Sequence, residues 1–301
     1  MNINEIHKIP KISKIPKIPR IIHQLWIGTK ERPYKFMDTW KNNNPDFQYI
    51  MWDETEIKKN LKLQCLDKIN AMKEINGKAD IIRWEILYKY GGIFLDADSI
   101  SLAPLDDNLL NTSAFASYEN EISRNGLVST VAMGFPKEHP LCLMAIKWIL
   151  NNNISNKSAW QTVGPGLITR LYKTNIFSDI TIFPSYYFLP VHFSGQIYTG
   201  HGKVYAHQEW GSTKKNYDKM NSIEIPSIFK TPTKIIEISL NINDDNIKDL
   251  KQKLITIMNI NGYNIVKLTI IQDDLNSDNK QILNNEIENY KTIVRWIVIC
   301  L

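Results

Sequence analysis

Two aspartates, Asp96 and Asp98, lie one residue apart directly after the apolar run IFL at positions 93–95. Carboxylates this close repel each other unless something positive lies beside them. Mg²⁺ and Mn²⁺ prefer oxygen ligands, and proteins commonly hold them with one or two carboxylates together with substrate phosphates. The pair therefore predicts a divalent-cation site that contacts a diphosphate. A helix cap or turn is the structural alternative, because short Asp-x-Asp patterns also arise there.

The segments around this pair predict an α/β domain with a mostly parallel sheet. Buried strands are predicted at residues 20–28, 47–52 and 93–96, with helices at 33–46, from Asp53 onward and at 77–92. Asp53 and Glu56 form a capping box, and Gly91 with Gly92 closes the last of these helices. Strands that alternate with helices indicate a Rossmann-like, doubly wound sheet, whose ligands bind beyond the carboxyl ends of the strands. Asp96 and Asp98 lie at such a position.

A second pair of charged residues, Asp80 and Arg83, lies on the helix that leads into this strand. Three residues apart, the two side chains share one stripe of the helix. They have two interpretations, and the spacing does not choose between them. The pair can brace the sheet as a buried ion pair, or Arg83 can grip a phosphate while Asp80 accepts protons from sugar hydroxyls.

Composition excludes several classes of protein. The 301 residues are 43% hydrophobic and 22% charged, with a formal net charge of +5, as in ordinary globular proteins. Arginine is scarce beside lysine and no DNA-binding motif is present, so no nucleic-acid partner is expected. No membrane-spanning run or signal peptide is recognised, which predicts a soluble cytoplasmic protein. The cysteines Cys65, Cys142 and Cys300 lie too far apart in sequence to suggest a zinc site or a disulfide framework.

Three regions differ in composition. Residues 1–19 contain the proline triplet repeat KIPKISKIPKIP and are predicted to be a flexible basic arm. Residues 20–229 carry the predicted sheet, an apolar helix at 140–151 and an extended aromatic segment at 181–191. Residues 230–301 are rich in Asn, Asp, Lys and Ile, and predict a small α/β appendage whose role the sequence does not show.

Four motifs in order resemble one family of sugar-transferring enzymes. ADIIRWEILYKYGGIFLDADSI, at 79–100, is similar to the signature of glycosyltransferase family 32, which includes yeast α-mannosyltransferases, lactosylceramide galactosyltransferases and bacterial capsular transferases. It also resembles the glucosyltransferase domain of large clostridial toxins. IPRIIHQLWIG at 18–28, VGPGLIT at 163–169 and AHQEWGS at 206–212 resemble further motifs of these enzymes. The resemblance covers residues 19–213 and implies a GT-A-type fold.

The resemblance also implies roles for particular residues. Trp26 borders the nucleotide base, Asp80 and Arg83 hold the donor sugar and its phosphates, and Ser212 contacts the diphosphate. Asp96 contacts the sugar or the metal, which is Mn²⁺ or Mg²⁺. Asp98 and His207 complete the metal ligands, with Glu209 as the alternative to His207. Trp26 as a core residue and His207 as a surface residue are the structural alternatives.

Three positions depart from the family pattern. Thr213 stands where a tryptophan usually follows the motif serine, and Gln208 stands where a second histidine is often found. Thr162 precedes Val163 in the Gly-Pro motif, which shifts that motif by one residue. The departures concern the diphosphate contacts and the third metal ligand, and they leave the fold expectation unchanged.

The function implied is transfer of a hexose from a UDP- or GDP-linked sugar to a glycan, protein or lipid hydroxyl, with retention at the anomeric carbon. In this expectation Asp80, Arg83, Asp96 and Asp98 are the catalytic group. Two alternatives remain open at this point. One is an inactive transferase fold that binds a glycan or a partner, and the other is a haloacid-dehalogenase-type phosphatase, since an apolar strand followed by Asp-x-Asp fits that class as well.

Overall fold

The structure is a computed structural model that describes residues 17–154, 157–200, 202–223, 235–243, 249, 265–272, 277–290 and 296–300. The basic arm predicted for residues 1–19 therefore lies outside the described residues except at 17–19, as does most of the C-terminal appendage between its strands. The chain divides into two compact units. One comprises residues 1–196 and 204–223, and the other comprises residues 197–203 and 224–301.

The first unit carries the strands β1 to β8. They are β1 Ile21–Leu25, β2 Gln48–Trp52, β3 Gly92–Leu95, β4 Ser99–Ser101, β5 Ala114–Tyr118, β6 Val128–Phe135, β7 Ile180–Phe183 and β8 Ala206–Gln208. Its α-helices are α1 Tyr34–Asn43, α2 Glu54–Asn60, α3 Leu66–Ala71, α4 Ile75–Tyr90, α5 Asp107–Leu110, α6 Pro140–Asn151, α7 Ala159–Thr162, α8 Pro165–Tyr172 and α9 Gly211–Lys214. Short 3₁₀ segments occur at Ser185–Tyr187 and Tyr217–Ser222.

The main sheet has the strand order β2-β1-β3-β6-β5-β7. β1 pairs in parallel with β2 and β3, and β5 pairs in parallel with β7, whereas β6 lies antiparallel between β3 and β5. The predicted fold class, an α/β protein with a mostly parallel sheet and flanking helices, is confirmed. The sequence indicates a series of parallel strands, and the antiparallel strand β6 is an exception to it. Because β6 is antiparallel to both β3 and β5, those two strands run in the same direction.

Side chains of the main sheet pack into two apolar cores, one on each face of the sheet. On β3, Phe94 belongs to one cluster while its neighbours Ile93 and Leu95 belong to the other. Since successive side chains of a strand point to opposite faces, the clusters cover the two faces. The largest buried members are Trp52 of β2 and Trp84 of α4 on one face and Trp40 of α1 on the other. Full burial of such side chains contributes about 2–3 kcal/mol each to folding.

The helix α4 fixes the position of β3. It is buried on almost all sides and ends at Gly91, whose φ of 64° is in the left-handed region. Gly92 also has a positive φ, of 96°, and a Cβ there would lie 2.7 Å from the Ile21 carbonyl oxygen of β1. The glycine pair therefore allows both the helix end and the close pairing of β1 with β3.

A separate two-stranded sheet connects distant parts of the sequence. β4 pairs antiparallel with β8, with Ser99 opposite Gln208 and Ile100 opposite His207. Because β4 begins directly after Asp98, this pairing brings the 205–213 segment to the aspartate pair. The two motifs are more than 100 residues apart in the chain.

The second unit contains a three-stranded parallel sheet of order β11-β10-β9. Its strands are β9 Ile235–Ile242, β10 Ile265–Gln272 and β11 Trp296–Cys300, and α10 spans Ser277–Tyr290. The C-terminal region thus has the α/β character that its sequence predicts. Among the described parts of the chain, no helix has both the length and the apolar character that a membrane crossing requires.

Candidate active site

The carboxyl ends of three parallel strands meet at one edge of the main sheet. Trp26 follows β1, Asp96 follows β3 and Glu119 follows β5. β6 runs the other way, so its second and third residues, Ser129 and Thr130, lie near this same edge. These residues all line one cavity of about 710 Å³, which agrees with the rule that ligands of open α/β sheets bind beyond the carboxyl ends of the strands.

Asp96 and Asp98 each have defined partners in this cavity. Asp96 Oδ1 accepts a hydrogen bond from Arg83 Nη2 at 2.5 Å. Asp98 Oδ2 accepts from the backbone N–H of Gly211 at 2.7 Å, and its Oδ1 accepts from Gln208 Nε2 at 2.8 Å. The structure thus brings together the aspartate pair, Arg83 and the 205–213 segment, which the sequence analysis expects to share a site.

Arg83 joins the helix α4 to the acidic group. Its guanidinium lies 3.5 Å from Asp80 Oδ1, donates to the Thr130 carbonyl and stacks 4.6 Å from the centre of the Phe94 ring. Asp80 Oδ1 also accepts from the Thr130 hydroxyl at 3.3 Å. The arginine side chain is only 6% exposed, so it braces the sheet while it also lines the cavity. These contacts are compatible both with a buried ion pair that braces the sheet and with a role of Arg83 and Asp80 in binding a phosphate and a sugar.

Negatively charged side chains outnumber positively charged ones around Asp96. Asp80, Asp96 and Asp98 line the cavity together, with Arg83 as the guanidinium among them. Burial raises the pKa of Asp96 to about 7, and the charge of Arg83 opposes this rise. Burial also raises the pKa of Asp80 and of Asp98, although Arg83 opposes the rise at Asp80, and Gly211 and Gln208 oppose it at Asp98. A cation bound here would lower the free energy of the ionised carboxylates.

The oxygen atoms at this position fit a hard divalent cation. Gln208 uses its Nε2 on Asp98, and its Oε1 is buried with no hydrogen-bond partner in the part of the chain that the structure describes. A buried oxygen without a proton donor is one that a cation satisfies, and Mg²⁺ needs only one or two carboxylates when phosphates supply other ligands. Within the described residues, however, no group of three or more His, Cys, Asp and Glu side chains is arranged to hold a metal ion.

His207 and Glu209, the two candidates for a third metal ligand, pair with each other. His207 Nε2 lies 3.2 Å from Glu209 Oε1, and this contact lowers the pKa of Glu209. Of the described residues of β8, Gln208 lines the cavity and His207 does not, because neighbouring residues of a strand point to opposite faces. The backbone N–H of Glu209 donates to the Asp98 carbonyl at 2.9 Å, but neither the Glu209 nor the His207 side chain lines the cavity with the aspartates. Their assignment as metal ligands stays a prediction.

Trp26 and Ser212 lie at the cavity together with a residue that the sequence analysis missed. Trp26 contacts the ring of Tyr217 edge-on, with 5.1 Å between the ring centres, and its Nε1 donates to the Lys30 carbonyl. Ser212 hydrogen-bonds to Tyr217, whose pKa is raised by burial and by the charges of Asp98 and Asp96. Tyr217 lies on a 3₁₀ segment beyond the last motif, where no sequence pattern marks it.

Other missed residues form a group of their own on the cavity wall. Glu119, Arg124, Trp160, Phe193 and Trp210 all line the cavity. The position of Glu119 directly after β5 is a signal that could have identified it, since Asp96 occupies the corresponding position after β3. Trp160 and Phe193 lie in irregular stretches and short helices that carry no such signal.

Comparison with known proteins identifies the family. Residues 30–116 match the family described as "Glycosyltransferase sugar-binding region containing DXD motif". Over 133 residues the chain is 32% identical to inositol phosphoceramide mannosyltransferase 3 of Schizosaccharomyces pombe, covering 42% of this chain and 36% of that enzyme. The chain thus spans about a third of the length of this curated relative. The solved structure of the PaToxG glycosyltransferase aligns with a TM-score of 0.42 and 18% identity, over 55% of this chain and 72% of that one.

A viral relative is covered more completely. The uncharacterized glycosyltransferase L373 of Acanthamoeba polyphaga mimivirus is 30% identical over 183 residues, which are 56% of this chain and 72% of that protein. The residues that match the family model, 30–116, include Asp80, Arg83, Asp96 and Asp98. The chain therefore belongs to the glycosyltransferase family whose sugar-binding region contains a DXD motif.

Proposed function

We propose that the protein transfers a hexose from a nucleoside diphosphate sugar to an acceptor hydroxyl, in a reaction that depends on a divalent metal and retains the anomeric configuration. One observation carries this proposal. Asp80, Arg83, Asp96 and Asp98 meet in a single cavity at the carboxyl edge of the sheet, in contact with the segment that supplies Gln208 and Ser212. Family membership favours this reaction over the phosphatase alternative.

The residues of the site have separate tasks in this proposal. Asp98 and Asp96 would hold Mn²⁺ or Mg²⁺, with Gln208 Oε1 as a further oxygen in place of the histidine predicted from the sequence. When bound, the metal supplies positive charge for the diphosphate of the donor. Arg83 orients Asp96 and compensates part of the negative charge, while Asp80 accepts hydrogen bonds from hydroxyls of the donor sugar. Trp26 and Tyr217 border the base, and Ser212 donates to the diphosphate.

The transfer breaks one bond and forms another at the anomeric carbon. The acceptor oxygen forms a bond to the anomeric carbon while the bond between that carbon and the phosphate oxygen of the donor breaks. The electron pair of the broken bond leaves with the nucleoside diphosphate. The acceptor proton passes to the departing phosphate oxygen on the same face of the sugar, which retains the configuration. The protein contributes by positioning the two substrates and by placing charge where it develops.

The test measures release of nucleoside diphosphate from a panel of UDP- and GDP-linked hexoses with Mn²⁺, before and after removal of metal with EDTA. We expect one donor to be cleaved, EDTA to stop the cleavage, and Asp98→Asn to lower the rate by at least about 100-fold. Asp67→Asn, at an exposed aspartate of α3, is the matched control and should leave the rate unchanged.

Two results would contradict the proposal. Cleavage that survives in Asp98→Asn at the wild-type rate would remove the aspartate pair from the reaction. A rise in melting temperature with UDP or GDP, without cleavage of any donor in the panel, would instead support the alternative of an inactive transferase fold that binds a nucleotide.

A further inference from the structure

A carboxylate and three aromatic side chains line the cavity next to the residues assigned to the donor. The carboxylate is Glu119, and Trp160, Phe193 and Trp210 form what we call the aromatic wall. Arg124 connects the two, since it lies 3.9 Å from Glu119 Oε1 and stacks on Trp160 at 5.2 Å. None of these side chains has a task in the donor reaction described above.

Glu119 is buried and held in a fixed orientation. It is 8% exposed and lies directly after β5, at the sheet edge that also bears Asp96. His192 Nδ1 accepts from the backbone N–H of Ser194 at 3.3 Å, so in the neutral ring Nε2 carries the proton and donates to Glu119 Oε1 at 3.4 Å. The contacts of His192 and Arg124 both reach Oε1, which leaves Oε2 able to accept from a ligand hydroxyl.

The rings of the aromatic wall line the cavity, with Trp160 exposed and with Phe193 and Trp210 half-buried. Trp160 remains 39% exposed, although it is a large apolar side chain. Phe193 and Trp210 pack edge-to-face at 5.4 Å, and Trp210 Nε1 donates to the Val191 carbonyl at 3.0 Å. Exposed aromatic faces that line a cavity beside fixed polar groups are typical of a ligand site.

Trp210 is also held in an unfavourable backbone conformation. Its φ of 60° and ψ of 42° lie in the left-handed region, which costs a residue with a Cβ about 1–2 kcal/mol. The next residue, Gly211, gives its backbone N–H to Asp98. Strained residues of this kind cluster at functional sites, and this one joins the residue that binds Asp98 to the aromatic wall.

We propose that Glu119 and the aromatic wall form the acceptor subsite, and that the acceptor is a carbohydrate. A sugar ring has an apolar C–H face, which packs on an aromatic ring, and hydroxyls at its edge, one of which would donate to Glu119. The Glu119 carboxylate and the three rings of the aromatic wall together offer more contact surface than the single side chain of a protein acceptor would use, and a sugar ring fits them better. This inference rests on the proposed transferase function, because an acceptor subsite requires a donor.

The test uses the donor identified in the panel and simple acceptors: the methyl glycosides of mannose, galactose, glucose and N-acetylglucosamine. Transfer is followed as formation of the disaccharide, and donor cleavage as release of nucleoside diphosphate. In Glu119→Gln the KM for the acceptor should rise about tenfold to a hundredfold, since a hydrogen bond to a charged group is lost. In Trp160→Ala it should rise about tenfold. Both rises should exceed any change in the KM for the donor.

Two matched controls lie outside the cavity. Glu121→Gln changes a carboxylate that binds Ser185, and Trp148→Ala removes a tryptophan of α6 that Arg170 covers at 4.8 Å, as Arg124 covers Trp160. Both controls should leave the acceptor KM unchanged. Because Trp160 is exposed, its truncation should not prevent folding, and the melting temperature of each variant verifies this.

The outcomes separate this inference from the proposed function. If the donor is cleaved but no glycoside accepts the hexose, or if Glu119→Gln and Trp160→Ala leave the acceptor KM as in the wild type, the carbohydrate subsite is refuted and the transferase function stands. Equal rises in the donor and acceptor KM would also refute it, because they would indicate a general disturbance of the cavity. If no donor is cleaved at all, both proposals fail.

Discussion

Gly164 controls the position of the Asp80 carboxylate, and replacing it with alanine tests this directly. Gly164 precedes α8 with a negative φ of −104°, so it is not in the left-handed region that favours glycine, and the prediction rests on the contacts that an added Cβ would make. A Cβ at this position would overlap Asp80 Oδ2 and lie 3.1 Å from Asp80 Cγ. Asp80 is 6% exposed and is held by Thr130 and Arg83, so it has little room to move.

The magnitude follows from this overlap. Restoring an ordinary contact moves the carboxylate by on the order of 1 Å, and overpacking of this kind costs about 1–3 kcal/mol. For a domain of this size the melting temperature should fall by about 2–4 °C for each kcal/mol. Misplacing a group that positions the substrate by about 1 Å lowers the rate about 100-fold. Gly164→Ala is therefore expected to fold and to lose most of its donor cleavage.

A double-mutant cycle distinguishes this cause from general damage. In the Asp80→Ala background the carboxylate is absent and the added methyl group has space. Gly164→Ala should then change the melting temperature and the rate very little. If its effect in that background is as large as in the wild type, the two changes are independent and the steric argument is refuted. Wild-type activity in the single variant Gly164→Ala would refute it as well.

Two further predictions concern buried cations and bases. His23 is fully buried, with Nε2 donating to the Gly91 carbonyl and Nδ1 accepting from Trp52, and burial lowers its pKa from 6.5 to about 4. Between these values the unfolded chain binds a proton that the folded chain does not, so this histidine alone removes up to about 3 kcal/mol of stability on acidification from pH 6.5 to 4. The raised pKa of Asp96 acts in the opposite direction in both proteins, so the test is the difference between the urea-unfolding free energies of the wild type and His23→Gln, which should fall by this amount as the pH is lowered. Arg83→Lys keeps the positive charge but removes the forked guanidinium that reaches both Asp96 and the Thr130 carbonyl. The kcat/KM for the donor should therefore fall at least about tenfold, and the melting temperature should also fall. Full activity would show that one point charge suffices.

Local chemistry made several elements predictable from the sequence. Asp53 caps α2 as the capping box indicates, with its Oδ1 accepting from the Glu56 N–H at 2.8 Å. The helix that carries Asp80 and Arg83 ends at Gly91, because the left-handed φ there favours glycine. The apolar helix predicted at 140–151 is α6, Pro140–Asn151. In each case the signal lies within the residues that form the element.

Long-range contacts explain where the sequence was insufficient. The sequence predicts an extended conformation for the aromatic segment 181–191, yet β7 stops at Phe183 and a 3₁₀ segment follows at Ser185–Tyr187. There the Glu121 carboxylate accepts from both the N–H and the hydroxyl of Ser185, which competes with pairing in a sheet. A contact between residues 64 positions apart has no signature in either local pattern.

The third metal ligand shows the same limit at the site. The motif AHQEWGS indicates that this segment meets the aspartates, and it does so through Gln208 and Gly211. Which side chain of the segment faces them depends on the register of β8 against β4, and a shift by one residue would exchange His207 for Gln208. That register is set by pairing across more than 100 residues, and no property of the motif itself encodes it. Hence residue types located the site, while the register of one short strand decided that the side-chain amide of Gln208, and not the imidazole of His207, lies beside Asp98.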